Sequence, residues 1–201
     1  MLQKLFFKRL KRGPQVVLEK DFGAIISLTG LQSGDTVIDA GSGSGFLAIR
    51  LGSIVAPAGK VYSFEWRDDF AELARKNVEK AGLSDVIEIA KADVFAGFPK
   101  DGADLVTLDF AGSDKAVPHA FAALKSGGWC VGILPNAEQM RDFYLAGAAA
   151  GFEAVHAIDV TVKNWLIRPH GCRPETMGLN HTAFLVFLQK PAAKPIKTSD
   201  A

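Results

Sequence analysis

Short apolar runs alternate with stretches of helical period along most of the chain. The runs Thr36–Ala40, Val61–Glu65, Val86–Ala90, Asp104–Phe110 and Trp129–Leu134 are rich in Val, Ile, Leu and Phe and bounded by turn residues. They read as strands buried on both faces. Between them, Phe46–Val55, Asp68–Ala81, Ala116–Leu124 and Glu138–Ala150 carry apolar residues at helical spacing. Ahead of the first strand, Asp21 reads as the N-cap of a helix running to Leu31, with Phe22, Ile25, Ile26 and Leu28 partly on one face. Glu153–Val162 and Thr182–Gln189 read as two last strands, separated by an irregular stretch over Arg168–Pro174. Strands alternating with helices predict an α/β fold: a doubly wound, mostly parallel, seven-stranded sheet with helices on both faces. The expected organisation is a basic N-terminal arm over residues 1–12, one domain over 13–190 and a disordered tail over 191–201.

The first strand runs into Asp39-Ala40-Gly41-Ser42-Gly43-Ser44-Gly45, and a helical pattern opens at Phe46. A strand, a glycine turn and a helix start make a cradle for a nucleotide-like ligand. Glycines let the backbone come close, and the helix start offers unpaired N–H groups. The spacing is G-x-G-x-G with an acid two residues before, not the G-x-G-x-x-G of dinucleotide enzymes. The second strand ends in Glu65, twenty residues past Gly45, where a carboxylate can accept from both hydroxyls of a ribose. Asp93 follows the third strand, as a contact for an adenine amino group or as the cap of a turn. Asp109 ends the fourth. Right-handed crossovers would bring the glycine loop, Glu65, Asp93 and Asp109 to one edge of the sheet.

The composition narrows the class. The chain has 201 residues, 48% of them hydrophobic, enough for one domain with a sizeable core. A net charge of +1 makes the whole molecule no general polyanion binder, so a nucleic-acid surface requires local clustering. One such cluster is Lys4, Lys8, Arg9, Lys11 and Arg12, interleaved with Leu5, Phe6, Phe7 and Leu10. It reads as a solvated arm, as a contact for RNA phosphate or as a contact for a neighbouring subunit. Cys130 and Cys172 lie far apart, which fits a reducing, cytoplasmic setting rather than a disulfide framework. No His or Cys spacing suggests a metal, and no apolar run is long enough to span a membrane.

Several of these segments also resemble a family. The glycine motif is similar to motif I of the class I S-adenosylmethionine methyltransferases. Gly13-Pro14-Gln15-Val16-Val17 through Lys20-Asp21, the run Val61–Glu65 with Asp69–Ala74, and Leu134-Pro135-Asn136 with Gln139 resemble the tRNA (adenine-N1)-methyltransferases that act on the T-loop. So do Arg168-Pro169, Arg173-Pro174, Met177 and His181-Thr182-Ala183-Phe184-Leu185. The resemblance implies the Rossmann-like class I methyltransferase fold, S-adenosylmethionine as cofactor, tRNA as partner and a homo-oligomer, commonly a tetramer. Around the loop it implies cofactor contacts from Asp39, Gly41, Gly43, Ser44 and Gly45, with Phe46 and Leu47 at the helix start. Further contacts would come from Gln15, from Glu65, Trp66 and Phe70, from Asp93 and Val94, and from Asp109. Asp109 would also be catalytic, and Arg168, Arg173 and His181 would line the acceptor pocket. Two features depart from the family. Its N-terminal β-domain is expected to be absent here. Its Asp-Leu-Pro-x-Pro-Trp segment is replaced by Asp109-Phe110-Ala111-Gly112-Ser113-Asp114. The alternatives are a methyltransferase for a small molecule or protein, a catalytically silent cofactor-binding subunit, or an NAD-dependent enzyme, which the loop spacing disfavours.

Overall fold

The computed structural model describes residues 7–13, 15–176 and 181–193. The expectations placed on the first six residues, Pro14, Met177 and the end of the tail lie outside that range. The helices are α1 (Glu19–Thr29), α2 (Phe46–Val55), α3 (Asp68–Lys80), α4 (Val117–Ala123) and α5 (Ala137–Ala150). The strands are β1 (Thr36–Ala40), β2 (Lys60–Glu65), β3 (Ile87–Lys91), β4 (Ala103–Leu108), β5 (Leu124–Leu134), β6 (Ala154–Asp159), β7 (Trp165–Arg168), β8 (Gly171–Pro174) and β9 (Phe184–Gln189). Seven strands form one sheet in the order β3-β2-β1-β4-β5-β9-β6. The first five are parallel, and β9 runs antiparallel to both β5 and β6. This is the doubly wound architecture that the alternating pattern predicts.

Burial on both faces explains the apolar runs. Val37, Val61, Leu105, Val131 and Phe187 point to one layer, with α1, α2 and α3 over it. Ile38, Phe64, Val106, Cys130 and Leu188 point to the other, with α4 and α5 over it. Residues 7–13 belong to the first layer in part. Leu10 is buried there, and the Phe7 ring lies 5.5 Å from that of Phe46. Arg50 stacks its guanidinium on Phe7 at 4.3 Å and pairs with Glu19 at 3.1 Å.

Three local expectations differ from the structure. The stretch over Arg168–Pro174 is not irregular: β7 and β8 form a two-stranded hairpin outside the main sheet. β5 begins at Leu124, and Gly127-Gly128 lie inside it, where the β4–β5 register shifts. Gly127 has φ +81°, which suits such an irregularity. Helix α1 starts at Glu19, so Asp21 is not a cap but a buried member of the first turn.

Asp21 is held by distant partners. Lys20 Nζ donates to Asp21 Oδ1 at 2.7 Å and to Thr182 Oγ1 at 2.6 Å, while Thr182 Oγ1 donates to Asp21 Oδ2 at 2.7 Å. This closed ring ties the start of α1 to the residues entering β9. A buried carboxylate deprived of one partner costs more than the bond is worth. Thr182→Val is therefore expected to destabilise the fold by about 1–3 kcal/mol. Urea unfolding checks it, and a change within about 0.5 kcal/mol would show that the ring carries no stability.

Candidate active site

The site forms at the carboxyl ends of β1, β2 and β4. The N–H groups of Gly41 and Ser42 both donate to the Phe64 carbonyl, at 2.9 and 3.2 Å, and Gly45 N–H donates back to Ser42 at 2.7 Å. Gly41 sits at φ +92°, and a Cβ there would lie 2.3 Å from the Asp109 carbonyl oxygen. Only glycine lets the loop close against the end of β4. Gly43 is the open member. Its φ is +51°, and the nearest atom to an added Cβ lies 3.9 Å away, so a ligand can approach its backbone.

Asp39 braces this loop from beneath. It is fully buried, and its register partners on the flanking strands are Ser63 and Thr107. Ser63 Oγ donates to Oδ2 at 2.6 Å and Thr107 Oγ1 to Oδ1 at 2.7 Å. Ser42 Oγ and Ser63 Oγ lie 2.5 Å apart and extend the network into the loop. Burial raises the Asp39 pKa, the two hydroxyls partly offset the rise, and the charge of Glu65 adds to it. With both oxygens occupied and no exposed surface, Asp39 holds the loop in place and does not face the cavity described below.

Asp109 follows β4 directly, its N–H donating to the Ala40 carbonyl at 2.9 Å. It is half-buried, and its carboxyl pKa is pushed up to about 7, first by burial and then by the charge of Asp39. A raised carboxyl pKa has a definite sign in stability. The folded state holds a proton that the unfolded state releases from about pH 4 upward, so this group lowers stability as pH rises from there through about 7. Asp109→Asn removes that effect. Its melting temperature should match wild type below about pH 4 and exceed it increasingly up to about pH 7. A gap that does not change with pH would contradict the environment described for Asp109.

Glu65 joins the two loops beside the cradle. Oε2 accepts from Gly43 N–H at 2.8 Å and Oε1 from Arg67 N–H at 3.0 Å. Each oxygen keeps a further acceptor position for a ligand hydroxyl. Trp66 stands exposed next to it, and the Phe70 ring lies under the Arg67 guanidinium at 4.3 Å. Asp93 accepts from Phe95 N–H at 3.0 Å and so caps the short 3₁₀ turn Val94–Ala96, with Val94 buried behind it. Phe46 and Leu47 are buried in the first turn of α2.

A cavity of about 450 Å³ opens next to Asp109. Arg12, Gln15, Asp21, Asp109, Gln139 and His181 supply its polar groups, and Val16, Val17, Phe110, Ile133, Pro135 and Ala183 its apolar wall. His181 Nδ1 lies 3.0 Å from Asp159 Oδ2, and its ring packs on Phe184 at 4.5 Å. Arg168 and Arg173, expected here, sit instead on the β7–β8 hairpin and do not line the cavity; Arg173 donates to the Pro174 carbonyl. The irregular spacing concealed that hairpin.

Asn77 is a site residue that the motifs do not point to. It is fully buried in α3 and donates to the carbonyls of Ser44 and Lys11, at 2.8 and 2.9 Å, while accepting from Lys11 N–H at 3.3 Å. It thus fastens the segment before Gly13 onto the glycine loop. Its signal is a polar residue on the buried stripe Ala71, Ala74, Val78.

Residues 3–185 match the family model described as tRNA methyltransferase complex GCD14 subunit. The chain belongs to this family. It is 30% identical to the tRNA (adenine(57)-N(1)/adenine(58)-N(1))-methyltransferase TrmI of Methanocaldococcus jannaschii, over 92% of this chain and 74% of that protein. It is also 30% identical to the tRNA (adenine(58)-N(1))-methyltransferase TrmI of Thermus thermophilus, over 92% and 73%. Among solved structures, a SAM-dependent O-methyltransferase of Thermotoga maritima superposes with a TM-score of 0.89 at 28% identity, covering 96% of this chain and 73% of that one. TrmI of Aquifex aeolicus superposes at 0.85 with 23% identity, over 94% and 76%, and shares the fold. As a member of the GCD14 family with a class I methyltransferase fold, the chain is a methyltransferase. Among the described residues, no helix is long and apolar enough to cross a membrane.

Proposed function

We propose that this protein transfers a methyl group from S-adenosylmethionine to N1 of an adenine in tRNA. The observation that carries the reading is the position of Asp109. Its backbone closes the glycine loop at Gly41, and the residue lines the adjoining cavity. Asp109 thus stands beside both the cofactor cradle and a pocket of a size suited to one small ligand.

The residues present fit the cofactor. The open backbone at Gly43 and the remaining acceptor positions of Glu65 suit a nucleoside, with Asp93 and Val94 at the base end. When bound, S-adenosylmethionine supplies a methyl carbon already activated by a sulfonium. The protein then has to orient the acceptor and accommodate the charge. Adenine N1 carries its own lone pair, so no strong base is needed; alignment is the main requirement. Methylation makes the purine cationic, and the Asp109 carboxylate would stabilise that charge as it develops. The cavity takes a base only after it has left its stack. Gln15, Gln139 and His181 supply hydrogen-bonding groups along the wall, and Phe110 an apolar face.

A second reading has one observation in its favour. Phe110-Ala111 replaces the Leu-Pro of the resembling family in the cavity wall, which would suit a small-molecule acceptor. A competition assay separates the two. Labelled S-adenosylmethionine is offered with unmodified tRNA and, separately, with phenolic and catechol acceptors. The tRNA reading predicts label in the RNA alone. Label only in the small acceptors would replace it with the second reading.

A further inference from the structure

Residues 7–12 present two unlike faces. Phe7 packs on the core and Leu10 is buried in it, whereas Lys8, Arg9, Lys11 and Arg12 are exposed. Among the described residues none of these four cations forms an ion pair. The segment is nevertheless fixed. Asn77 grips both the N–H and the carbonyl of Lys11 and, through Ser44, locks them to the glycine loop. Gly13 then passes Ser44 so closely that an added Cβ would stand 3.2 Å from its hydroxyl. Arg12, between these two fixed points, lines the cavity that holds Asp109.

We infer that Lys8, Arg9, Lys11 and Arg12 form a phosphate-binding strip that leads an RNA backbone to the mouth of the cavity. The inference rests on the tRNA reading above and names the surface that engages the substrate. Unpaired cations on a rigid backbone gain from a polyanion through counterion release. Arg12 lines the pocket and the other three precede it on the same fixed segment, so a phosphate contact there positions the nucleotide that enters it. A protein partner fits this face less well. Its apolar residues already point inward, which leaves charge outside and no greasy surface to bury.

The test uses the full chain and unmodified tRNA. Lys8→Gln, Arg9→Gln and Lys11→Gln are combined in one variant, and Arg12→Gln is made alone. The bonds from Asn77 reach the backbone of Lys11 and survive these changes. Binding of tRNA is followed by fluorescence anisotropy over a salt series. For the triple variant, log affinity against log salt should flatten by roughly 2 to 3, one counterion equivalent per lost phosphate contact. Affinity at low salt should fall about 10-fold or more, KM for tRNA should rise with kcat retained, and binding of S-adenosylhomocysteine should not move. Arg12→Gln should flatten the slope by about 0.7–0.9. Unchanged slopes and affinities would overturn the strip. So would a change of oligomeric state on sedimentation with RNA affinity intact, which would make this face a subunit contact. Methylated product reads the tRNA proposal and the salt slope reads the strip, so either can fail without the other.

Discussion

Asp109→Asn is expected to keep S-adenosylmethionine affinity within a few-fold and to cut methyl transfer by roughly 10²-fold or more. The effect is one of timing. The carboxylate's stabilisation grows only as positive charge appears on the acceptor, so its loss falls on turnover and not on cofactor binding. Asparagine keeps the shape beside Ala40 and the glycine loop, because the fixed contacts of Asp109 use its backbone. In the wild type the rate should fall as pH drops below the carboxyl's pKa. That value is about 7 without a ligand and lower once a cation shares the cavity. The variant should lack this pH dependence. Steady-state kinetics on the true acceptor and calorimetry with the cofactor measure the two halves separately. Turnover like wild type in Asp109→Asn would remove the residue from the chemistry.

Glu65→Ala should act in the opposite way, weakening cofactor binding by about 10- to 10²-fold. Its carboxylate is asked to accept from ribose hydroxyls, and hydrogen bonds to a charged acceptor contribute about 1.5–3 kcal/mol. It also fixes the surroundings, since one oxygen holds Gly43 N–H and the other Arg67 N–H. The alanine variant therefore loses ligand bonds and the shape of the cradle together. Glu65→Gln keeps one oxygen acceptor but places an N–H₂ against one of these backbone donors, so an intermediate loss is expected. Calorimetry with S-adenosylhomocysteine reads both variants. An affinity unchanged in Glu65→Ala would take this residue out of the site.

The fold was legible because a parallel sheet covered on both faces writes itself as apolar runs, and the glycine loop because its spacing is local. What escaped reading depends on partners far along the chain. Asp21 has the look of a helix cap, but its partner Thr182 lies 161 positions away. Ser63 and Thr107 are polar residues in interior strands, and only the lateral register shows that both meet Asp39. Asn77 was visible as a polar interruption of a buried stripe, though what it binds was not. The hairpin was hidden because its strands are four residues each, and the second begins at a glycine and ends at a proline. The resembling signature points Arg168 and Arg173 to the acceptor pocket, but a hairpin outside the main sheet carries them, and neither lines the cavity.

Whether the methyl group reaches adenine N1 of tRNA is read from the identity of the modified nucleoside. Unmodified tRNA is incubated with the protein and methyl-labelled S-adenosylmethionine, digested to nucleosides and resolved by mass spectrometry. Label is expected in 1-methyladenosine, present with wild type and nearly absent with Asp109→Asn. Label in any other nucleoside, or none in the RNA while a small acceptor is methylated, would contradict it.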